Sequence, residues 1–250
     1  MKAIVIEKYG MPEVMSEREV ERPIPREHEV LIKVSAVSLN LSDWECLRGK
    51  PLYSRVWGLF SPRFRVLGSD LTGRVEAVGA QVTRFQPGDE VYGDSMGSFG
   101  GFAEYACAKE HMLHSKPPGL SFEEASTIPQ AGIIAYQALS RGRKIFQDKK
   151  VLINGAGGGS GMFAIQMAKS WGALVTAVDS KKKQDHMLAL GADLVIDYTA
   201  EDFTKSGKRY DFIVDLVGTR SVFAHARALN PGGIYQMAGG TMCWRALTSA

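Results

Sequence analysis

One glycine-rich segment constrains the fold of this chain more than any other feature. The apolar run Val151-Leu152-Ile153 leads into Asn154-Gly155-Ala156-Gly157-Gly158-Gly159-Ser160-Gly161, and a helical pattern follows over residues 162–171. In this order, a strand, a glycine turn and a helix let the backbone approach a phosphate, and the first N–H groups of the helix face it. The segment therefore predicts a strand–turn–helix unit that binds a dinucleotide.

Two spacings of the dinucleotide fingerprint fit the turn. The pattern G-x-G-x-x-G falls on Ala156, Gly158 and Gly161, with alanine at its first place, and G-x-x-G-x-x-G falls on Gly155, Gly158 and Gly161. Both place small residues where a pyrophosphate must approach the backbone. The predicted contacts are Ala156, Gly157, Gly158, Gly159, Ser160 and Gly161. The alternative is a flexible glycine loop that binds no ligand.

The end of the second predicted strand bears on the choice of coenzyme. Asp179 lies 18 residues after Gly161, where an acidic group usually accepts a hydrogen bond from the ribose 2′-hydroxyl of NAD. The run Ser180-Lys181-Lys182-Lys183 follows, and Ser180 and Lys183 can instead hold the 2′-phosphate of NADP. The lysines are equally consistent with a solvated helix start. These residues leave the choice between the two coenzymes open.

Predicted strands and helices alternate from Lys150 onward. The strands cover residues 151–153, 174–178, 194–196, 212–214 and 234–237, and the helices cover residues 162–171, 185–190 and 222–229. The last helix is expected to end at Pro231-Gly232-Gly233. This alternation predicts an α/β domain with a parallel sheet and helices on both faces.

Ligands of open α/β sheets bind beyond the carboxyl ends of the strands. Val217 and Gly218 follow the fourth predicted strand, and Ala238 and Gly239 follow the fifth, so these four residues are expected near the coenzyme. Asp215 lies at the same edge. Its alternative role is to cap local backbone N–H groups.

The first half of the chain has a different period. Residues 29–38 alternate apolar and polar side chains, and similar short runs cover 72–78, 89–92 and 102–106 between Gly and Pro turns. This predicts a β-rich domain over residues 1–118, followed by the coenzyme domain over 119–250. Between them, Ser121-Phe122-Glu123-Glu124 has the form of a capping box, and Pro129 should break the helix that it starts.

Composition excludes several other classes of protein. Hydrophobic residues make up 45% and charged residues 23% of the 250 residues, as in a folded globular chain. A net charge of +3 is too small to indicate nucleic acid or a membrane surface as a partner. The N-terminus becomes charged too early for a signal peptide. Cys46, Cys107 and Cys243 are an odd number of cysteines without a Cys-x-x-Cys pair, which argues against a disulfide framework and a cysteine-based zinc site. We therefore expect a cytoplasmic protein.

Further motifs resemble a known superfamily. The segments Gly68-Ser69-Asp70-Leu71-Thr72-Gly73-Arg74-Val75-Glu76-Ala77-Val78-Gly79 and Phe85-Gln86-Pro87-Gly88-Asp89-Glu90-Val91 resemble the medium-chain dehydrogenase/reductase superfamily. The glycine turn, with Leu190-Gly191-Ala192-Asp193 and Val195-Ile196-Asp197-Tyr198, resembles its zinc-free quinone oxidoreductase branch. The resemblance implies an N-terminal GroES-like β-rich domain and a doubly wound, parallel-sheet Rossmann domain. It also implies that the Rossmann domain is incomplete at its C-terminus, without its last strand and the segment that returns to the first domain.

The resemblance also implies a function. It is NAD(P)H-dependent, zinc-independent hydride transfer to quinones or α,β-unsaturated carbonyl compounds, by a cytosolic homodimer without nucleic-acid or membrane partners. NADP(H) is favoured and NAD(H) is possible, and Tyr198 joins the predicted coenzyme contacts. Two alternatives stay open: a nucleotide-binding sensor or structural relative without turnover, and a zinc-free alcohol or aldehyde reductase. Ile134 stands where relatives often carry threonine, which favours the first alternative.

The residues at the expected zinc positions favour a metal-free site. Zinc-dependent relatives need an early Cys and a His-Glu pair, whereas this chain has Asn40-Leu41-Ser42-Asp43 and Ser69-Asp70 at those places. Hydrogen-bond donors must then stabilise negative charge on the substrate oxygen. The resemblance implies that Asn40 and Asp43 line the substrate pocket and that Tyr53 is a donor. The alternatives are turn capping for Asn40 and Asp43, and core packing for Tyr53.

Overall fold

The computed structural model describes residues 1–56, 58–140 and 146–239. The chain divides into two compact units, Met1–Gln130 and Ala131–Ala250. Of the three cysteines, Cys46 and Cys107 are free thiols, and Cys243 lies outside the described residues.

Antiparallel strands dominate the first unit. These strands are β1 (Lys2–Ile6), β2 (Met15–Glu19), β3 (Glu29–Val37), β4 (Asp70–Val78), β5 (Glu90–Asp94), β6 (Tyr105–Lys109) and β7 (Leu113–Ser115). β1 pairs with β2, and the others form a sheet in the order β6-β3-β4-β5-β7. Helices α1 (Leu41–Arg48) and α2 (Phe122–Ser126) belong to this unit, and α3 (Pro129–Ser140) starts in it. The predicted β-rich domain is confirmed.

The strand predicted over residues 102–106 starts later than expected. Phe102 donates its backbone N–H to the carbonyl of Leu67, and Ala103 forms an isolated bridge with Ala3, so both residues pair away from the main sheet. β6 pairs with β3 instead, which buries Ala106 and Ala108 in the sheet core. The alternation of side chains could not distinguish these two partners.

The helix signals after the sheet are confirmed. Glu124 donates its backbone N–H to Oγ of Ser121 at 3.1 Å, and Ser121 donates its own N–H to the Glu124 carboxylate at 2.8 Å. The helix they start, α2, ends at Ser126. Pro129 then opens α3 at its first position, where a missing N–H costs no intrahelical bond.

The second unit contains a parallel sheet. Its strands are β8 (Lys150–Asn154), β9 (Leu174–Asp179), β10 (Leu194–Asp197), β11 (Tyr210–Asp215) and β12 (Leu229–Met237), in the order β10-β9-β8-β11-β12. Its further helices are α4 (Gly159–Ser170), α5 (Gln184–Ala189) and α6 (Val222–Arg227). Val151 and Ile153 of β8 lie in one apolar cluster and Leu152 lies in another, so both faces of the sheet are covered. The predicted doubly wound α/β arrangement is confirmed.

The end of the last helix was predicted wrongly. α6 ends at Arg227 rather than at Leu229, and Leu229 is instead the first residue of β12. The pairing of β12 with β11 then shifts, because Tyr210 lies opposite Leu229 and Phe212 lies opposite Ile234. Residues 230–233 therefore bulge out of the strand. Pro231 cannot donate to a ladder, and a bulge accommodates it.

Candidate functional site

The glycine turn between β8 and α4 is held against the end of β9. The backbone N–H groups of Gly155 and Ala156 donate to the carbonyl of Val178 at 2.9 and 3.1 Å. Gly155 has a φ of +85°, in the left-handed region that glycine adopts readily. A Cβ at Gly155 would also lie 2.8 Å from Cγ2 of Val217, so the turn and residue 217 pack closely.

The glycines of the turn serve two different purposes. A Cβ at Gly161 would lie 2.3 Å from the carbonyl oxygen of Gly155, so glycine there permits tight packing of helix on turn. At Gly158, a Cβ would meet only that carbonyl at 3.4 Å, and at Gly159 only Cβ of Ala131 at 3.6 Å. A Cβ at either position would make only an ordinary van der Waals contact, so both glycines leave room beside the backbone for a phosphate group to approach.

The start of α4 supplies hydrogen-bond donors to that space. The N–H of Met162 donates to the carbonyl of Gly158 at 2.9 Å, so the amides of Gly159, Ser160 and Gly161 precede this first intrahelical bond. No side chain caps the helix at Gly158, and no acidic residue lies in its first turn. Free amides and the positive end of a 12-residue helix are suited to an anion.

Asp179 contacts both the turn and a lysine. Its Oδ2 accepts the N–H of Gly157 at 2.9 Å, and its Oδ1 accepts the N–H of Ser180 at 2.7 Å. Nζ of Lys183 lies 3.3 Å from Oδ1. A Cβ at Gly157 would lie 2.4 Å from Cδ of Lys183, so glycine at 157 allows this pair to approach the turn.

A cavity of about 370 Å³ lies at the carboxyl edge of the sheet. It is lined by Asn154, Gly155, Val178, Asp179, Tyr198, Val217, Thr219 and Arg220. Its volume falls in the range of pockets that hold small ligands and cofactors. Three predicted contact residues, Asp179, Tyr198 and Val217, line it. Ala156 does not line it and is fully buried.

The structure also places the remaining predicted coenzyme residues. Gly218 donates its N–H to Asp215 at 3.0 Å. Ala238 donates its N–H to the carbonyl of Asp215 at 2.9 Å, and it lines a second cavity, of about 600 Å³, rather than the first. A Cβ at Gly239 would lie 2.7 Å from the carbonyl oxygen of Leu216. Sequence reasoning missed Asn154, Thr219 and Arg220, although all three follow or end a predicted strand.

The predicted catalytic residues of the first unit have structural partners. The carboxylate of Asp43 is buried and accepts the N–H groups of Asn40 at 2.9 Å and of Gly68 and Ser69 at 3.1 Å. Asn40 is the N-cap residue of α1. Burial raises the pKa of Asp43. The capping contacts named as the alternative for Asn40 and Asp43 are thus present.

Tyr53 lies outside the core, with half of its surface exposed. Its hydroxyl donates to the carboxylate of Glu45, with both oxygens at 2.8 Å. Partial burial first, and then the neighbouring Glu45, raise the pKa of Tyr53 to about 12. The hydroxyl is therefore protonated at neutral pH, and its single proton points to Glu45.

A polar cluster in the first unit was missed by sequence reasoning. Ser42 donates through Oγ to Oε1 of Gln130 at 3.0 Å, and Gln130 donates its backbone N–H to Oδ2 of Asp70 at 3.0 Å. Asp70 is fully buried, and burial raises its pKa to about 7. Ser69 lies beside it, with Oγ 3.5 Å from Nε2 of Gln130. One sequence signal pointed to this cluster, because the pair Ser69-Asp70 stands where zinc-dependent relatives have a His-Glu pair.

Two family models match the chain. The alcohol dehydrogenase GroES-like domain matches residues 26–118, and the zinc-binding dehydrogenase family matches residues 159–244. A chloroplastic quinone-oxidoreductase homolog of Spinacia oleracea is 36% identical over 227 residues, which cover 86% of this chain and 67% of the relative. The chain belongs to the medium-chain dehydrogenase/reductase superfamily. Within this superfamily it lies in the quinone oxidoreductase-like branch, as the sequence motifs predicted.

Other members of the superfamily match over similar spans. The 2-methylene-furan-3-one reductase of Solanum lycopersicum is 38% identical over 87% of this chain and 57% of its own length. A mitochondrial NAD(P)H oxidoreductase of Mus musculus is 37% identical over 87% of this chain and 60% of its own length. The chain thus spans about three fifths to two thirds of the length of these relatives. Membership in the superfamily implies an NAD(P)H-type cofactor.

Solved structures of the superfamily have the same fold. The quinone oxidoreductase from Coxiella burnetii superposes with a TM-score of 0.85 at 33% identity, over 94% of this chain and 74% of that one. The apo JamJ enoyl reductase gives 0.86 at 27% identity, over 97% and 75%.

Two negative findings concern the described residues alone. Within 1–56, 58–140 and 146–239, no group of three or more His, Cys, Asp or Glu side chains is placed to hold a metal ion. Over the same ranges, no helix has both the length and the apolar character that crossing a membrane requires.

Proposed function

We propose that this chain is an NAD(P)H-dependent oxidoreductase that transfers hydride to quinones or α,β-unsaturated carbonyl compounds. The open glycine turn at the start of α4 is the observation that carries the proposal, since it combines free amides with space for a diphosphate. When bound, the reduced coenzyme supplies a hydride, and a proton completes the reduction of the substrate. The names of the Spinacia oleracea and Solanum lycopersicum relatives support quinones and enones as acceptors.

In this proposal, the chain holds the coenzyme through three kinds of group. The amides of Gly159 and Ser160 donate to the diphosphate, and the missing side chains at Gly158 and Gly159 admit it. Asp179 faces the ribose from the wall of the 370 Å³ cavity. Tyr198 and Val217 cover the remaining apolar surface of the nucleoside.

We propose NADP(H) as the preferred coenzyme, with NAD(H) possible. Lys183 and the amide of Gly157 both contact the Asp179 carboxylate, which reduces its repulsion of a 2′-phosphate. Replacing Lys183 by alanine should raise the Kd for NADPH roughly tenfold or more, as loss of a charged hydrogen bond does, and should leave the Kd for NADH almost unchanged. Lys182→Ala is the matched control, because that side chain is an exposed neighbour. Tighter binding of NADH than of NADPH by the wild type would overturn this preference.

We also propose that the reaction needs no zinc ion. The donor set supports this, because the oxygens of Asp43 already accept three backbone N–H groups and the segment Asn40-Leu41-Ser42-Asp43 contains no cysteine. Burial raises the pKa of the Cys46 thiol to about 11, which keeps it protonated and a poor ligand. Activity that disappears on treatment with a strong chelator and returns with added zinc would contradict this part of the proposal.

A second candidate is a nucleotide-binding relative without turnover. The partners of the predicted catalytic groups favour it, because Asp43 bonds to backbone amides and Tyr53 directs its proton to Glu45. Steady-state assays of NADPH and NADH oxidation with 1,4-quinones, enones and aldehydes separate the candidates. Oxidation with quinones or enones supports the main proposal, and oxidation only with aldehydes points to a zinc-free aldehyde reductase. Thermal stabilisation by NADPH without oxidation of any acceptor favours binding alone.

Two further parts of the proposal concern assembly and location. We propose a homodimer, which light scattering on the purified chain tests. We also propose a cytoplasmic location. Named relatives include chloroplastic and mitochondrial proteins, so fractionation of cells must decide the compartment.

A further inference from the structure

A buried carboxylate lies behind the proposed coenzyme cavity. Asp215 ends β11 and is fully buried. Its Oδ1 accepts Nδ2–H of Asn154 at 2.8 Å and the N–H groups of Val217 and Gly218 at 3.0 Å each. Its Oδ2 accepts the hydroxyl of Tyr235, on β12, at 2.9 Å. One side chain therefore joins the ends of β8 and β11 to the turn at 217–218.

His225 of α6 approaches the same carboxylate without serving as its donor. Nδ1 of His225 lies 3.0 Å from the carbonyl oxygen of Ser221, which can only accept, so Nδ1 carries the proton. In the neutral ring, Nε2 then carries a lone pair and no hydrogen, so it cannot donate to Oδ2 of Asp215, which lies 3.3 Å away. Burial is the main cause that lowers the pKa of His225, and the positive charge of Arg220 lowers it further. The negative charges of Asp215 and Asp202 raise this pKa but do not outweigh burial. At neutral pH, Tyr235 is thus the side chain that donates to Oδ2.

Two of the residues that Asp215 holds, Asn154 and Val217, are walls of the cavity, and Gly155 lies beside them. Asn154, Gly155 and Val217 all line it. Cγ2 of Val217 lies 2.8 Å from the position that a Cβ of Gly155 would take, so a shift of the 217–218 turn changes the space beside the glycine turn. Three donors hold Oδ1 of Asp215, and the Tyr235 hydroxyl adds a fourth donor, on Oδ2.

We propose that Tyr235 is a positioning residue for the coenzyme site. It orients Asp215, and Asp215 in turn sets the turn at Val217 and Gly218 against the glycine turn. The proposal rests on the proposed function, because the coenzyme is the ligand whose binding it affects. It adds to that function a residue that is remote from the glycine turn in sequence and does not line the cavity.

Tyr235→Phe tests the proposal, with Tyr210→Phe as the matched control. Both remove one tyrosine hydroxyl from the same sheet, but Tyr210 lies at the opposite end of β11 from Asp215. Hydrogen exchange of the peptide that contains Val217 and Gly218 is measured without ligand, and Kd values for NADPH and NADH are measured by titration. We expect faster exchange in this peptide and a Kd that rises roughly three- to tenfold in Tyr235→Phe, with neither change in the control.

The outcomes distinguish the two proposals. Unchanged exchange in Tyr235→Phe, or faster exchange with an unchanged Kd, overturns the role of Tyr235. Equal effects in Tyr210→Phe also overturn it, since they indicate a general loss of stability. If the wild type binds neither coenzyme, the proposed function fails and the coenzyme role of Tyr235 fails with it. The exchange measurement then still decides whether Tyr235 positions the turn.

Discussion

Asp70 is a buried carboxyl group whose ionisation should destabilise the first unit. It is fully buried, and it lies directly opposite Asp94 in the pairing of β4 with β5. Burial is the main cause that raises its pKa, from 3.8 to about 7. The hydrogen bond from the backbone N–H of Gln130 lowers this pKa, but less than burial raises it. The negative charges of Asp94 and Asp43 raise it further. Replacing Asp70 by asparagine removes the charge and keeps the shape.

The size and sign of the effect follow from the two pKa values. The folded state holds the proton more tightly than the unfolded chain, so the stabilisation is complete below about pH 4 and is lost as the pH rises through about 7. A rise of about 3 pKa units corresponds to about 4 kcal/mol over the whole range. Between about pH 5 and about pH 8, the wild type should lose roughly 3 kcal/mol that the Asp70→Asn variant retains.

Urea unfolding over this pH range, followed by circular dichroism, measures the difference. The free energy of unfolding of Asp70→Asn minus that of the wild type should increase steadily with pH. Glu13→Gln is the control, because it removes an exposed carboxylate from the same unit and should run parallel to the wild type. Infrared difference spectra give a second readout, since a carboxylic acid band should titrate near neutral pH and be absent from Asp70→Asn. Parallel pH curves for Asp70→Asn and the wild type would refute the reasoning.

Three further predictions concern the glycine turn, a helix cap and a buried histidine. Gly161→Ala places a Cβ 2.3 Å from a carbonyl oxygen and should lower the free energy of unfolding in urea by about 1–3 kcal/mol. Gly158→Ala should instead fold normally and raise the Kd for the coenzyme roughly tenfold, which is about 1.4 kcal/mol of binding free energy. Ser121→Ala removes the cap of α2 and should cost about 1 kcal/mol, measured in the same way. Burial lowers the pKa of His225 from 6.5, so the stability that its neutral form gives is complete above about pH 6.5 and is lost as the pH falls through the folded pKa. His225→Phe should flatten this acid limb in thermal unfolding.

Each of these three has an outcome that contradicts it. Equal destabilisation by Gly158→Ala and Gly161→Ala would show that the two glycines do not differ in packing. Ser121→Thr should retain the cap, so an equal loss in both Ser121 variants would assign the effect to something other than the hydroxyl. A wild type and a His225→Phe variant with the same acid limb would show that His225 does not titrate differently on unfolding.

Local signals in the sequence were sufficient for the general fold and for the glycine turn. The capping box at Ser121 and Glu124, and the order of strand, glycine turn and helix around Gly158, depend on neighbours within a few residues. Such signals reflect backbone freedom and local hydrogen bonds, which do not need the rest of the chain. Alternation of apolar residues likewise predicted a buried face for β3, and the apolar run at Val151-Leu152-Ile153 predicted a buried β8, although neither predicted the partners of these strands.

Only the tertiary structure decided which polar side chains are buried and what they bond. The backbone donor to Asp70 is the amide of Gln130, 60 residues away, and the hydroxyl that donates to Oδ2 of Asp215 is that of Tyr235, 20 residues away. The cost of burying a charge depends on every group packed around it, and those groups come from distant segments. For the same reason, only the structure shows that the Asp43 carboxylate accepts three backbone N–H groups. Local sequence patterns determined the order of strands and helices in this protein, and long-range packing determined the hydrogen bonds of its buried polar side chains.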